Sequence, residues 1–292
     1  MSEVLYLNSM MSGLNNQRMG VVGLIVHAAK VGKKAAIPSY AVDFAPMEGR
    51  TPADYGRLPF GEVFDIDLLA SSEAGDHISY STPTEGIGLD TCFAIGKTVL
   101  GEAFQHNSAH HQLARNTLLS LQPTKETRRL ADDIVEWLPK KTFALQLRIE
   151  RDWHIYLEKK FGTTEMDTPE QFFTVDPGKI ARKVSATNLD AEALWLCCDE
   201  ADLVLPIDAV REEFRKIGLK LFFKSDLPRY FSFPEARLKR AFLEQAICQR
   251  LPGFIGLSLS TFTQTLWLEN KWTEKGSAHY VYNSPGADLL RR

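Results

Sequence analysis

The sequence predicts an α/β fold divided into two lobes, on three observations. Strand-like and helix-like segments alternate along the chain, with no heptads, no low-complexity tract and no evident repeat. Most strand candidates are continuous apolar runs, the pattern of parallel strands covered on both faces. The 292 residues exceed the ~100–200 of a usual domain. A break at Pro139-Lys140-Lys141 separates a strongly amphipathic helical pattern from an apolar strand, so the expected lobes are residues 1–140 and 141–292.

The first lobe opens on the strand VLYLN (4–8), followed by a helical pattern over 16–31. Gly32 stands where a left-handed residue would end that helix. KAAIP (34–38) is the next strand, and helical patterns at 110–121 and 125–138 close the lobe. Between them, residues 40–95 are rich in Gly, Pro, Ser and Asp and read as long loops, which in compact domains often carry function. In the second lobe TFALQLR (142–148), ALWLCC (193–198), LKLFF (219–223) and GFIGL (253–257) are strands. Helices are expected at 206–217, 235–249 and 261–270, with Gly218 ending the first of these.

Composition bounds the function. A hydrophobic content of 44% supports a substantial core, and a net charge of −3 gives no general attraction to nucleic acid or an anionic membrane. No apolar run approaches the roughly 20 residues that span a bilayer, and the start of the chain lacks the basic-then-apolar order of a secretory leader. The expectation is a cytoplasmic protein with no nucleic-acid partner and no transmembrane segment. Cys92, Cys197, Cys198 and Cys248 form no C-x-x-C pair and read as reduced core thiols.

The first strand hands over to its helix through Ser12-Gly13-Leu14-Asn15-Asn16, with the helix expected to begin near Gln17. Such a start aims unpaired backbone N–H groups at one point, where phosphate, carboxylate or the edge of a sugar can bind. Gly13 permits close backbone approach, and Asn15 or Asn16 can cap the helix while presenting an amide outward. The competing reading is an ordinary capped helix. Two nucleotide patterns are absent: no G-x-G-x-x-G follows the first strand, and Gly96-Lys97-Thr98 has Thr91 where a P-loop needs glycine. Lys97 and Thr98 then read as helix-start residues. His106, His110 and His111 lack a third ligand group and an orienting partner, and read as surface or loop histidines rather than a metal site.

Two further stretches carry chemistry. In FALQLRIERDWHIYLE (143–158) an apolar strand delivers Arg148 to its carboxyl end, where ligands of open α/β sheets bind. A guanidinium there suits a diphosphate, since it pairs bidentately with phosphate oxygens and keeps its charge. Asp152 is placed to hold that guanidinium. The competing reading is a surface ion pair of Arg148 or Arg151, worth little energetically. In GFIGLSLSTFTQTLWLENK (253–271), Ser258 to Thr263 gather hydroxyls and N–H groups at a positive helix end.

Five motifs in order then carry a resemblance: Gly13-Leu14-Asn15-Asn16-Gln17-Arg18; Leu58-Pro59-Phe60-Gly61-Glu62-Val63-Phe64-Asp65; Leu147-Arg148-Ile149-Glu150-Arg151-Asp152-Trp153; Leu196-Cys197-Cys198-Asp199-Glu200; and Phe254-Ile255-Gly256 with Ser260-Thr261-Phe262-Thr263. Together they resemble the GDP-fucose-dependent O-fucosyltransferases and their plant and bacterial relatives, over most of residues 4–270. The resemblance implies a GT-B-like α/β architecture, two Rossmann-like lobes facing across a cleft, acting as a metal-independent, inverting glycosyltransferase with GDP-fucose as donor substrate and no cofactor. It implies that Arg148 holds the diphosphate, that Ser260, Thr261 and Phe262 line the phosphates, that Asp199 lies near the nucleoside, and that Asn16 reaches the sugar or acceptor. The catalytic candidates are Arg148 and Asn16. Gly13, Asn15, Gln146 and Asp152 complete the nucleotide-sugar site, and no residue is assigned to a metal. The acceptor is a glycan or protein hydroxyl.

Two departures stand out. Gln146 replaces the family's histidine in H-x-R, and Ser12-Gly13 replaces its double glycine. Gln can still donate and accept hydrogen bonds, but it cannot serve as a base. Asp43, Glu48 and Asp65 are the candidate bases. Relatives use other nucleotide sugars, including rhamnose donors. The alternative function is a non-catalytic nucleotide-sugar or glycan-binding protein on the same scaffold.

Overall fold

The computed structural model describes residues 3–291 apart from 9, 11, 44–54, 80, 82, 104, 169–171, 275–276 and 286–287. The chain divides into two units, Met1–Arg129 with Phe233–Leu243, and Leu130–Ser232 with Glu244–Arg292.

The first unit is built around β1 (Val4–Leu7), a buried apolar strand. It pairs in parallel with β2 (Lys34–Ala36) on one side and β6 (Glu85–Ile87) on the other, and β5 (Ile78–Ser79) extends the sheet beyond β2. The order β5-β2-β1-β6 means that the chain steps outward from β1 through β2 to β5 and then crosses back to place β6 on the other side of β1. Helix α1 (Leu14–Lys30) is buried on nearly every face, because it lies against β1, β2 and two later helices, α4 (Leu89–Glu102) and α5 (Ala109–Ser120). The contact with α4 is made through glycines. A Cβ on Gly23 would lie 1.8 Å from the Cys92 carbonyl oxygen, and one on Gly96 would lie 2.0 Å from that of Met19. Gly96-Lys97-Thr98 therefore falls in the middle of α4 and does not start it, since the glycine is needed for helix contact. The Gly32 expectation holds: its φ of +68° follows α1.

Residues 40–95 are not long loops throughout. β3 (Tyr40–Asp43) and β4 (Gly56–Pro59) form an antiparallel pair, followed by α2 (Phe60–Val63), α3 (Ile66–Ser71), a 3-10 turn at Glu73–His77, and then β5, β6 and the start of α4. These elements are short, so their Gly and Pro content masked them. Asp43, at the end of β3, accepts from the backbone N–H groups of Arg237 (3.2 Å) and Leu238 (2.6 Å). Those N–H groups open α10 (Arg237–Cys248), so Asp43 caps a helix nearly two hundred residues away in the chain. α6 (Lys125–Trp137) ends the run of helices after α5, and the division between the units falls within α6 and α10.

The second unit carries a sheet of order β11-β10-β7-β12-β13-β14. Its strands are β7 (Thr142–Gln146), β10 (Ala193–Cys197), β11 (Lys220–Phe222), β12 (Gly253–Gly256), β13 (Ala278–Val281) and β14 (Leu290–Arg291). All pairings are parallel except β13 with β14. The three central strands are wholly buried, which explains their unbroken apolar runs. α7 (Arg151–Phe161), α8 (Pro177–Ala186) and α9 (Ile207–Arg215) follow β7 and β10, with a small hairpin of β8 (Met166–Asp167) and β9 (Phe172–Phe173) between the first two; α11 (Thr261–Trp272) follows β12. Leu145, Leu147, Ile149, Trp153, Ile180, Leu194, Leu196 and Phe214 share one core. Gly218 has φ +79° after α9, as expected, and Gly162 ends α7 with φ +72°. The four cysteines are free and buried. Among the described residues no helix is long and apolar enough to cross a membrane.

The glycine contact between α1 and α4 gives a direct test. Gly23→Ala forces a methyl group into a backbone carbonyl and should destabilise by about 1–3 kcal/mol, the scale of overpacking. Gly101→Ala, at an α4 position with open space around it, should be neutral or stabilising. Denaturant midpoints of the two variants check the contrast, and equal midpoints would contradict the packing.

Candidate functional site

In the second unit the chain leaves β7 toward β10 and leaves β12 toward β13, in opposite directions along the sheet. β7 and β12 are neighbours, so their carboxyl ends flank a topological switch point, the place where open α/β sheets bind ligands. The segment after β7 carries Arg148, and the segment after β12 carries Ser260, Thr261 and Phe262.

Gln146, the last residue of β7, joins these two segments. Its Nε2 donates to Ser260 Oγ (3.0 Å), and its Oε1 accepts from Thr263 Oγ1 (2.7 Å). Thr263 Oγ1 in turn accepts from the Leu257 N–H (3.1 Å). Gly256 allows this closeness, since a Cβ there would meet Thr263 Oγ1 at 2.4 Å. Ser260 caps α11 by accepting from the Phe262 N–H (3.2 Å), as its position in the sequence suggested. The Ser258 N–H donates to Asn283 Oδ1 (2.8 Å) and the Asn283 amide returns a bond to Ser258 Oγ (2.7 Å), so the loop before α11 is fixed at both ends. Ser260, Thr261 and Phe262 are half-buried at the positive end of that helix.

Arg148 lies two residues beyond β7. Its Nη2 donates to both oxygens of Asp152 (3.2 and 3.0 Å) and its Nη1 lies 3.5 Å from Glu150 Oε1. The guanidinium also sits 5.4 Å from the centre of the Trp153 ring. Asp152 thus holds the guanidinium, as the sequence suggested, and the side chain remains 25% exposed rather than sealed in the core. Burial works against its charge, but the Glu150 and Asp152 carboxylates outweigh it and raise its pKa. The Arg148 backbone N–H donates to the hydroxyl of buried Tyr282 (3.3 Å).

At the end of β10, Asp199 caps a short 3-10 turn by accepting from the Ala201 N–H (3.3 Å). Beside it Glu200 accepts from the Lys224 and Ser225 N–H groups, and the Lys224 ammonium donates to Glu244 and to the Cys198 carbonyl. Sequence reasoning overlooked Glu150, Tyr282, Asn283 and Lys224. Glu150 had a signal: Gln146, Arg148 and Glu150 alternate with core residues Leu147 and Ile149, so the strand's two-residue period continues beyond its last ladder bond.

The first unit carries the other candidates. α1 begins at Leu14, not near Gln17, and its N-cap is Gly13, with no side-chain cap. Neither Asn15 nor Asn16 caps it. The reason is that the polar run turns inward. Buried Asn15 accepts from Arg18 Nη1 (3.1 Å), and Arg18 Nη2 donates to the Leu118 carbonyl (3.2 Å). Gln17 pairs its amide with both backbone groups of Val42, donating at 2.8 Å and accepting at 3.1 Å, as a neighbouring strand would. Asn16 donates to Ser12 Oγ (2.6 Å), and its buried Oδ1 has no hydrogen-bond partner. Gly13 is exposed, with open space where a Cβ would lie.

The candidate bases fare differently. Asp43 caps α10, and Asp65 caps α3 through the Leu68 N–H (3.2 Å) while Arg128 binds it at 2.8 Å, so neither is a base awaiting a proton. Glu48 lies outside the described residues. His111 is held by Ser108 (2.9 Å) and lies 3.4 Å from Glu102. Among the described residues no three His, Cys, Asp or Glu side chains assemble into a metal set.

No family model matches the chain, and no curated protein is similar to it in sequence. Solved structures are similar in fold. A structure of POFUT1 in complex with GDP matches with a TM-score of 0.57 at 12% identity, over 99% of this chain and 98% of that one. POFUT1 in complex with GDP-fucose matches with a TM-score of 0.56 at 13% identity, over 100% and 98%. NodZ alpha-1,6-fucosyltransferase soaked with GDP-fucose matches with a TM-score of 0.52 at 12% identity, over 100% and 99%. The α/β, GT-B-like architecture expected from the motifs is thus the fold of this chain.

The pairing of Asp65 with Arg128 and the Leu68 N–H predicts a pH dependence. Burial works against the carboxylate, but these partners outweigh it and hold its pKa below the usual value. The folded value lies below the unfolded one, so its stabilisation is complete above about pH 4 and is lost as pH falls further. Asp65→Asn should cost about 1.5–3 kcal/mol at pH 7. The gap to the wild-type protein should close in urea titrations repeated below pH 4; a gap independent of pH would contradict the pairing.

Proposed function

We propose that this chain is a glycosyltransferase that moves fucose from GDP-fucose to a hydroxyl on a glycan or protein, with inversion at the anomeric carbon and without a divalent metal. The observation that carries the reading is the placement of Arg148 and the capped start of α11 on the two sides of one switch point, at the ends of β7 and β12. A guanidinium and the positive end of a helix are what a nucleoside diphosphate needs. The fold shared with fucosyltransferases solved with GDP and GDP-fucose supports the same choice of ligand.

In this reading Arg148 binds oxygens of the diphosphate, and the Ser260, Thr261 and Phe262 segment lines it. Asp199, at the end of β10, lies on the nucleoside side. The acceptor hydroxyl oxygen attacks the anomeric carbon as the bond to the β-phosphate oxygen breaks; GDP departs with the electron pair and so with the charge, and the hydroxyl proton leaves to water or to the departing phosphate. The protein's task is to stabilise that charge opposite an oxocarbenium-like sugar, which calls for cations and N–H groups. Gly13 and Asn16, at the start of α1, are assigned to the sugar and acceptor. A rhamnose donor fits the same chemistry. A non-catalytic binding protein on this scaffold is the second reading, favoured by the engagement of Asp43 and Asp65 as helix caps.

Thermal melting with nucleotides tests the ligand, since anything bound only to the native state raises the melting temperature. GDP should raise it, UDP should raise it less, and EDTA should leave the GDP effect unchanged; a UDP preference or an EDTA-sensitive shift would contradict the assignment. Arg148→Lys and Arg148→Ala should both lower single-turnover transfer by roughly a hundredfold to a thousandfold, the cost of one preorganised donor to developing charge. Lys keeps charge without the two-pronged geometry and should not rescue. Near-normal turnover in the Lys variant would return Arg148 to a structural ion pair.

A further inference from the structure

Glu150 is 2% exposed, an acidic residue buried beside the apolar core formed by Leu147, Ile149 and Trp153. Its Oε1 lies 3.5 Å from Arg148 Nη1 and accepts from the Asp199 backbone N–H at 3.2 Å. Arg148 follows β7 and Asp199 follows β10, so one oxygen touches segments from two neighbouring strand ends. The other oxygen, Oε2, is buried and has no hydrogen-bond partner. Burial of an acid with one idle oxygen costs free energy that a fold without a use for it would avoid by placing an apolar side chain there. The backbone at Glu150 is itself fixed, since it bridges to Leu203 on the far side of the same 3-10 turn.

We propose that Glu150 is a positioning residue that holds the Arg148 guanidinium and the Asp199 turn in one arrangement, so that the groups meeting the diphosphate and the nucleoside keep their spacing. This rests on the function proposed above. Asp152 holds Arg148 through Nη2 only and leaves the planar guanidinium able to pivot about that contact; Glu150, beside Nη1, limits the pivot and links the group to the segment after β10. Groups held in place before binding lose less freedom when a ligand arrives, which is how a residue that never touches the ligand raises affinity. Burial also raises the pKa of Glu150, with Arg148 opposing.

The test has a ligand-free arm and a GDP arm. In the ligand-free protein, Glu150→Ala should speed amide exchange at Asp199, read by NMR, and labelling of Arg148 by phenylglyoxal, read by mass spectrometry. Glu150→Gln, which keeps an acceptor oxygen, should stay close to the wild-type protein in both. In calorimetry the Ala variant should bind GDP about tenfold more weakly, the scale of losing a partner that orients a ligating side chain, while its melting temperature changes little. If the Ala variant does not fold, Glu150→Asp, which withdraws the oxygens by one methylene, should show the same changes. Unaltered exchange and labelling would overturn the proposal, as would faster exchange with unchanged GDP affinity. A wild-type protein that does not bind GDP at all would sink the proposed function, and the ligand-free arm would still decide whether Glu150 holds both partners.

Discussion

The side-chain amide of Gln146 spans the gap between the end of β7 and the first turn of α11, donating to Ser260 and accepting from Thr263. Both ends of the amide are used, and both partners are residues that shape the start of α11. Remove that bridge and both hydroxyls keep only the backbone N–H bond each accepts, while the enclosed Thr263 hydroxyl loses the acceptor for its own hydrogen, at a cost of the order of 1–3 kcal/mol. The geometry at the switch point depends on it, because Arg148 lies two residues further along the same segment. Gln146 is thus committed to holding the end of β7 against the start of α11.

The same economy recurs in the polar residues of the first unit. Asn15, offered by its position as an outward amide, is buried, and with Arg18 and Gln17 it binds the protein's own backbone or a neighbour within the unit. Buried polar groups must find partners, and a chain that buries them at a strand-to-helix transition uses them to fix that transition. What is left outward is small: Gly13 is exposed, while the Asn16 amide donates to Ser12 and buries its oxygen. Asp43 and Asp65 follow the same rule, as helix caps.

The central strands of the second unit were legible because they are buried on both faces, which leaves continuous apolar runs such as ALWLC, whereas α8, β13 and the short strands β8, β9 and β14 were not read. The first unit was less so. β5 and β6 have two and three residues, too few for a periodic pattern, and α4 carries the glycines of a close helix contact in place of an apolar stripe. At the candidate site, the Arg148 and Asp152 pair could be read from spacing, as could the Ser260 cap. The two-residue period puts Glu150 on the face of Gln146 and Arg148, but its burial could not be read, because a glutamate beside Arg and Asp reads as a solvated charge until the fold shows it buried. Tyr282 and Asn283 directly follow β13; Tyr282 meets Arg148 from more than a hundred positions away and Asn283 meets Ser258, and no local pattern announces either contact.

The central claim is that the carboxyl ends of β7 and β12 hold a guanosine diphosphate. A crystal structure of the protein grown with GDP tests it most directly. The account predicts the diphosphate within hydrogen-bonding distance of the Arg148 guanidinium and of the backbone N–H groups at the start of α11, with the base toward Asp199. GDP bound away from both strand ends, or Arg148 still turned wholly to Asp152 and Glu150 with the phosphates held elsewhere, would contradict it.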